Sequence, residues 1–148
     1  MASQKAEILF YKENVRFILR NKSEISKWLI SIAKKHGKKI TSLHYIFVND
    51  KFLLGMNRKF LRHDTFTDII TFDYSEESKS NNSINGEIYI SIERVNENAL
   101  KFGKTEKEEL HRVMAHGLLH LCGFNDKSVK DKKHMRSQEE IALDLRQF

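Results

Sequence analysis

Apolar residues recur along this chain in two periods, and the alternation between them divides it into strands and helices. Ile25, Trp28, Leu29 and Ile32 stand at i, i+3, i+4 and i+7, the spacing of one buried helix face. That pattern predicts a helix from Ser23 to His36, stopped by Gly37. From Leu43 to Val48 nearly every position apart from His44 is apolar, which predicts a central strand buried on both faces. Residues 6–12, 67–74 and 84–92 read as three further strands, and Asp50 to Leu61 as a helix. The second half turns helical. Ile92 to Phe102 forms one helix, ending at Gly103. Thr105 with Glu108 makes a capping box that fixes the start of the next. Ser128 opens a last helix, whose Met135, Ile141, Ala142 and Leu145 are expected to pack inward. Four strands in one sheet, with helices mostly on one side, give an α+β class.

Composition narrows this picture. The 148 residues, about one ordinary domain in length, are read as one domain over residues 1–148, able to bury a core without disulfides. The polar run from Ser75 to Ser83 reads as a hairpin loop between strands, not a boundary. There is no proline, so turns and helix ends must be set by other residues. Cys122 is the single cysteine, which excludes an intrachain disulfide and suits a reducing compartment. The N-terminus lacks the apolar core of a signal peptide, and no stretch approaches the roughly 18 apolar residues of a membrane span. A cytoplasmic protein with no membrane partner is expected. The formal charge of +6 is clustered in Lys34, Lys35, Lys38 and Lys39, in Arg58, Lys59 and Arg62, and in Lys127, Lys130, Lys132, Lys133 and Arg136. Grouped cations suit a polyanion such as RNA, although lysine-rich surfaces also serve solubility alone.

The densest chemistry lies in His116-Gly117-Leu118-Leu119-His120-Leu121-Cys122-Gly123-Phe124-Asn125-Asp126. Residues four apart share a helix face, so His116 and His120 can present two imidazoles to one ion. Gly123 can end the helix in a left-handed conformation and let the chain return Asp126 toward the rings. Two nitrogens and one oxygen leave a fourth tetrahedral position for water, the pattern of catalytic zinc. His111 falls on the opposite flank and Cys122 points away, so both read as structural. The competing reading is that the pair is merely solvated at the border of the stripe Leu110, Val113, Met114, Gly117, Leu118 and Leu121. Peptidases of the H-E-x-x-H type carry a general base between their histidines, where this chain has Gly117. A zincin peptidase is disfavoured.

This segment resembles the H-G-x-x-H-L-x-G-Y-D-H signature of the YbeY family, metal-dependent endoribonucleases of ribosomal RNA maturation. Met56 to Phe72 is similar to that family's L-N-x-x-Y-R-x-x-D-x-P-T-D-V-L-S-F, and Gly86 to Ser91 to its G-D-I-x-I-S. The resemblance implies a four-stranded mixed sheet with about five helices, and a zincin-like metal helix crossing the sheet. It implies one catalytic Zn2+, or another divalent metal, on His116, His120 and Asp126, with Asp126 replacing the family's final histidine. The family's arginine falls on Leu61; on a helix ending near this point either Arg62 or Arg58 can reach the site from a shifted position, and Arg62 is taken as the catalytic candidate. Arg58, Lys59, Arg62 and Lys127 are the RNA-binding candidates. Asp68 and Glu87 sit in the similar segments and can orient the histidines or the water, but are not assigned catalysis. The activity implied is single-strand cleavage at the 3′ end of 16S rRNA. The implied partners are ribosomal RNA, small-subunit proteins and an assembly GTPase. A small zinc metallopeptidase and a non-catalytic RNA-binding assembly factor are the alternatives.

Overall fold

The most apolar strand lies in the middle of the sheet, where both of its faces can be covered. The computed structural model describes residues 5–61, 67–75 and 82–148. In chain order these form β1 (Glu7–Lys12), α1 (Lys22–Lys35), β2 (Lys39–Val48), α2 (Asp50–Phe60), β3 (Ile69–Asp73), β4 (Ser83–Ser91), α3 (Ile92–Phe102), α4 (Glu106–Leu121) and α5 (Val129–Asp144). The sheet order is β1-β2-β4-β3. β2 pairs in parallel with both β1 and β4, while β3 runs antiparallel to β4, so the sheet is mixed. β2 starts at Lys39, before the expected Leu43, because an irregularity between Ile40 and Ser42 breaks its alternation.

Side-chain alternation then assigns each face its helices. Leu43, Tyr45 and Phe47 of β2 join Ile84, Ile88 and Ile90 of β4 in the main core, under α1 and α4. α3 and α5 flank α4. On the opposite face Ile46, Val48 and Ile70 pack against Leu53 of α2. Four helices therefore share one side and one covers the other. Trp28 of α1 donates from Nε1 to the Ala142 carbonyl of α5 at 2.7 Å, which fixes the tryptophan as core. One expected core residue is placed differently. Ile141 is 37% exposed, because α5 turns Met135, Glu139 and Ala142, at i, i+4 and i+7, toward α4. Most of the spacer expected at Ser75 to Ser83 lies outside the described residues. Among the described residues no helix is long and apolar enough to cross a membrane.

The capping box at the start of α4 is formed in full. Thr105 Oγ1 accepts from Glu108 N at 3.0 Å, and the Glu108 carboxylate accepts from Thr105 N at 3.1 Å. From there α4 crosses the sheet at Gly117, where a β-carbon would sit 2.9 Å from Ile69 Cδ1 and from Ile88 Cδ1 and Cγ2. Glycine allows this approach without shifting those two isoleucines. It brings the next turn of the helix, and with it the two histidines, down onto the rim of β3.

Candidate metal centre

Helix α4 ends in a Schellman turn that folds the chain back over its own last turn. Gly123 has φ 106°, and Phe124 N donates to the Leu119 carbonyl at 3.0 Å. Asp126 is thereby returned to the histidines. The Nε2 atoms of His116 and His120 lie 3.0 Å apart, and each is 3.3 Å from Asp126 Oδ2. Among the described residues these three form the one cluster of His, Cys, Asp or Glu with ligand atoms close enough to share an ion.

The partners of the other ring nitrogens decide what this triangle is. His120 Nδ1 lies 3.0 Å from the Phe124 carbonyl, which can only accept, so Nδ1 carries the proton and Nε2 a lone pair. His116 Nδ1 lies 2.5 Å from Oε2 of Glu139, a carboxylate that also accepts. With both rings neutral, two lone pairs and one carboxylate oxygen thus converge. That donor set fits a cation and suits zinc or a similar divalent metal. Burial, followed by the neighbouring His116, holds His120 below its ordinary pKa despite the opposing pull of Asp126. Its neutral form is the form that binds metal.

Behind the triangle lies a buried ionic network. Arg112 donates from Nε and Nη2 to Glu109 at 2.8 and 2.7 Å and from Nη1 to Glu139 at 3.1 Å, and its Nη2 lies 3.7 Å from Asp68. Glu109 is 2% exposed and Glu139 5%. Burial works against ionisation of Glu139, but the hydrogen bond from His116 and the charge of Arg112 outweigh it and hold the carboxyl below its usual range. Glu109 and Glu139 acting together with the guanidinium raise the pKa of Arg112 further. Asp68 goes the other way. Desolvation raises its pKa even though Arg112 and His116 pull it down.

In front of the triangle an open groove of about 750 Å³ runs between β3 and the end of α4. Its walls include Leu61, Thr67, Asp68, Thr71, Arg112 and Lys127 beside the three ligand candidates. Of the cations expected to meet RNA, Lys127 lies on this wall. Arg58 and Lys59 are on the last turn of α2, exposed, with the Lys59 ammonium 5.3 Å from the Phe60 ring centroid. Arg62 lies outside the described residues. Glu87 takes a 2.7 Å hydrogen bond from Tyr74 Oη, whose pKa is pushed up to about 12 chiefly by that bond.

His111 and Cys122 stand apart from the triangle. The His111 ring lies 5.5 Å from the centroids of both Trp28 and Phe148 and accepts from Arg146 Nη1 at 2.9 Å. Its burial, with Arg146 and Lys107 nearby, lowers its pKa to about 4. The Cys122 thiol is pushed up to about 11 by burial, which leaves it unreactive. Glu109, Arg112 and Glu139 lie outside the ligand motif and carry no local sequence signature of their own, save that Glu139 is a carboxylate in register with Met135 and Ala142 on an otherwise apolar helix face.

The family model described as Endoribonuclease YbeY matches residues 8–146. The chain belongs to the YbeY family. Endoribonuclease YbeY of Cytophaga hutchinsonii is 52% identical over 141 residues, covering 95% of this chain and 96% of that protein. Endoribonuclease YbeY of Amoebophilus asiaticus is 42% identical over 139 residues, covering 94% and 92%. A solution structure of a Thermotoga maritima protein superposes with a TM-score of 0.64 at 27% identity, covering 93% of this chain and 87% of that one. Membership in the YbeY family agrees with the mixed four-stranded sheet and five helices found here.

Proposed function

We propose that this YbeY-family chain is a zinc-dependent endoribonuclease that cleaves a single RNA strand in ribosomal RNA maturation, at the 3′ end of 16S rRNA. The observation that carries the chemistry is the convergence of His116 Nε2, His120 Nε2 and Asp126 Oδ2 at the mouth of an open groove. RNA as substrate is supported by family membership and by the grouped cations. A bound zinc ion supplies Lewis-acid polarisation of the phosphoryl oxygen and lowers the pKa of water. The chain supplies the rest. His116 and His120 offer neutral nitrogens at a fixed spacing, Asp126 offsets part of the ion's charge, and Lys127 on the groove wall can meet a phosphate. Asp68, whose pKa is raised by burial, stands on the same groove beside Arg112. Ribosomal RNA, small-subunit proteins and an assembly GTPase are the partners this reading proposes.

Gly117 weighs against a peptidase. Its missing β-carbon would meet the side chains of Ile69 and Ile88 at 2.9 Å, so a glutamate base at that position must push those side chains aside. Leu61 lining the groove, where the resemblance expects arginine, favours the assembly-factor alternative. Metal analysis and cleavage assays on His116→Ala and His120→Ala decide the matter, with structured RNA and denatured casein as separate substrates and a chelated control. Metal content and RNA cleavage are expected to fall together. Full cleavage by a metal-free double variant, or cleavage of casein alone, overturns the proposal.

A further inference from the structure

His116 is held by a residue outside the ligand motif. Its Nδ1 meets Glu139 of α5 at 2.5 Å, and the other Glu139 oxygen accepts from Arg112 at 3.1 Å. Arg112 sits one turn before His116 on α4. It also forks onto Glu109 and reaches toward Asp68 just before β3, so one guanidinium joins α4, α5 and the groove wall. Two carboxylates as buried as Glu109 and Glu139 are costly to keep ionised, and a single guanidinium leaves them in excess. An apolar contact between α4 and α5 would hold the fold with less strain on its electrostatics. What the carboxylates provide is orientation and negative charge behind one imidazole.

The two histidines differ in this respect. His120 donates from Nδ1 to a neutral main-chain carbonyl, while His116 donates to an anion. A carboxylate at Nδ1 fixes the tautomer, sets the ring plane and makes the opposite nitrogen a stronger electron-pair donor. We infer that Glu139 is a positioning residue that locks His116 as the Nδ1–H tautomer with Nε2 facing the ion, and that Arg112 holds Glu139 in place for this. The inference rests on the proposed metal site. It assigns the tightness of that site to a relay running Arg112, Glu139, His116.

The test uses the full chain as wild type, Glu139→Gln and Arg112→Met, with Zn2+ affinity read by competition with a chromophoric chelator. Long-range 1H–15N spectra of histidine-labelled protein read the tautomers. Glu139→Gln keeps the size of the side chain and is expected to weaken Zn2+ binding roughly 10- to 100-fold. His116 is then expected to lose its single tautomer in the zinc-free protein, while His120 keeps its own. Arg112→Met should weaken binding in the same direction. Wild-type affinity in Glu139→Gln overturns the relay while leaving the metal site standing. Failure of the wild type to bind Zn2+ removes both. Should either variant fail to fold, the wild-type spectra still decide: zinc on Nδ1 of His116, or a proton on Nε2 in the zinc-free protein, refutes the inference.

Discussion

Tyr45, at the centre of β2, donates a 2.8 Å hydrogen bond from its hydroxyl to the main-chain oxygen of Met114, just before the ligand candidate His116 on α4. The tyrosine is fully buried, and burial raises its pKa well above the ordinary value, so the hydroxyl is a donor at neutral pH. The bond ties the height of the metal helix to a strand paired on both sides in the sheet. Tyr45→Phe keeps the ring contacts with Phe10 and Phe47 and removes only this donor. A loss of about 1–2 kcal/mol is expected from equilibrium urea unfolding. No change would mean that the bond does not anchor α4.

Gly117→Ala sets two effects against each other. Alanine favours the helix by about 1 kcal/mol over glycine. Its methyl group would press on Ile69 and Ile88 at 2.9 Å, and overpacking of this kind costs about 1–3 kcal/mol. Because the obstructing atoms are branched side chains held between α4 and the sheet, packing should win, with net destabilisation of about 1 kcal/mol. Thermal unfolding of the zinc-free protein isolates this from metal binding. A variant more stable than wild type would show that α4 and the sheet can separate without penalty.

His111 makes stability depend on pH through a shift of known sign. Its folded pKa is about 4 against an ordinary 6.5. Below 6.5 the unfolded chain takes up a proton that the folded chain refuses, so stability is lost as pH falls and the loss is complete near 4. Glu139, held below its ordinary value, adds a loss of the same direction at the acid end. His111→Gln can still accept from Arg146 but cannot titrate. Between pH 6.5 and 4 the unfolding midpoint of this variant should fall less steeply than that of the wild type. Parallel slopes for the two proteins would remove His111 from the account.

Local rules made most of the elements readable before the structure. α3 ends at Phe102 as its periodicity and Gly103 indicate, and the Thr105–Glu108 box starts α4 where expected. The His116, His120 and Asp126 spacing also needs only the helical repeat and a turn. What escaped was set by partners distant in sequence. Ile141 was placed in the core as an apolar residue, whereas α5 buries Glu139 because Arg112 and His116 await it from α4. A charged residue on a buried face is counted as surface until its partner is known. For the same reason Asp68 and Glu87 could not be told apart by type. One faces the groove and Arg112, the other a tyrosine hydroxyl.

The groove makes a prediction about RNA through two of its lining residues. Lys127 follows the ligand Asp126 directly, and Leu61 stands on the groove wall at 45% exposure. If phosphates pass between them, Lys127→Ala removes one neutralised phosphate. Binding should then weaken uniformly across single-stranded sequences, and the slope of log affinity against log salt should become shallower by about 0.7. Leu61→Arg acts in the opposite sense, placing a guanidinium where the family pattern carries one. The slope should steepen by about the same amount, and cleavage by the zinc-loaded protein should rise, because arginine engages a phosphate with two parallel donors. Salt titrations of a fluorescent oligonucleotide measure both. Slopes unchanged in both variants would place the RNA path away from this groove, even if the metal site is as described.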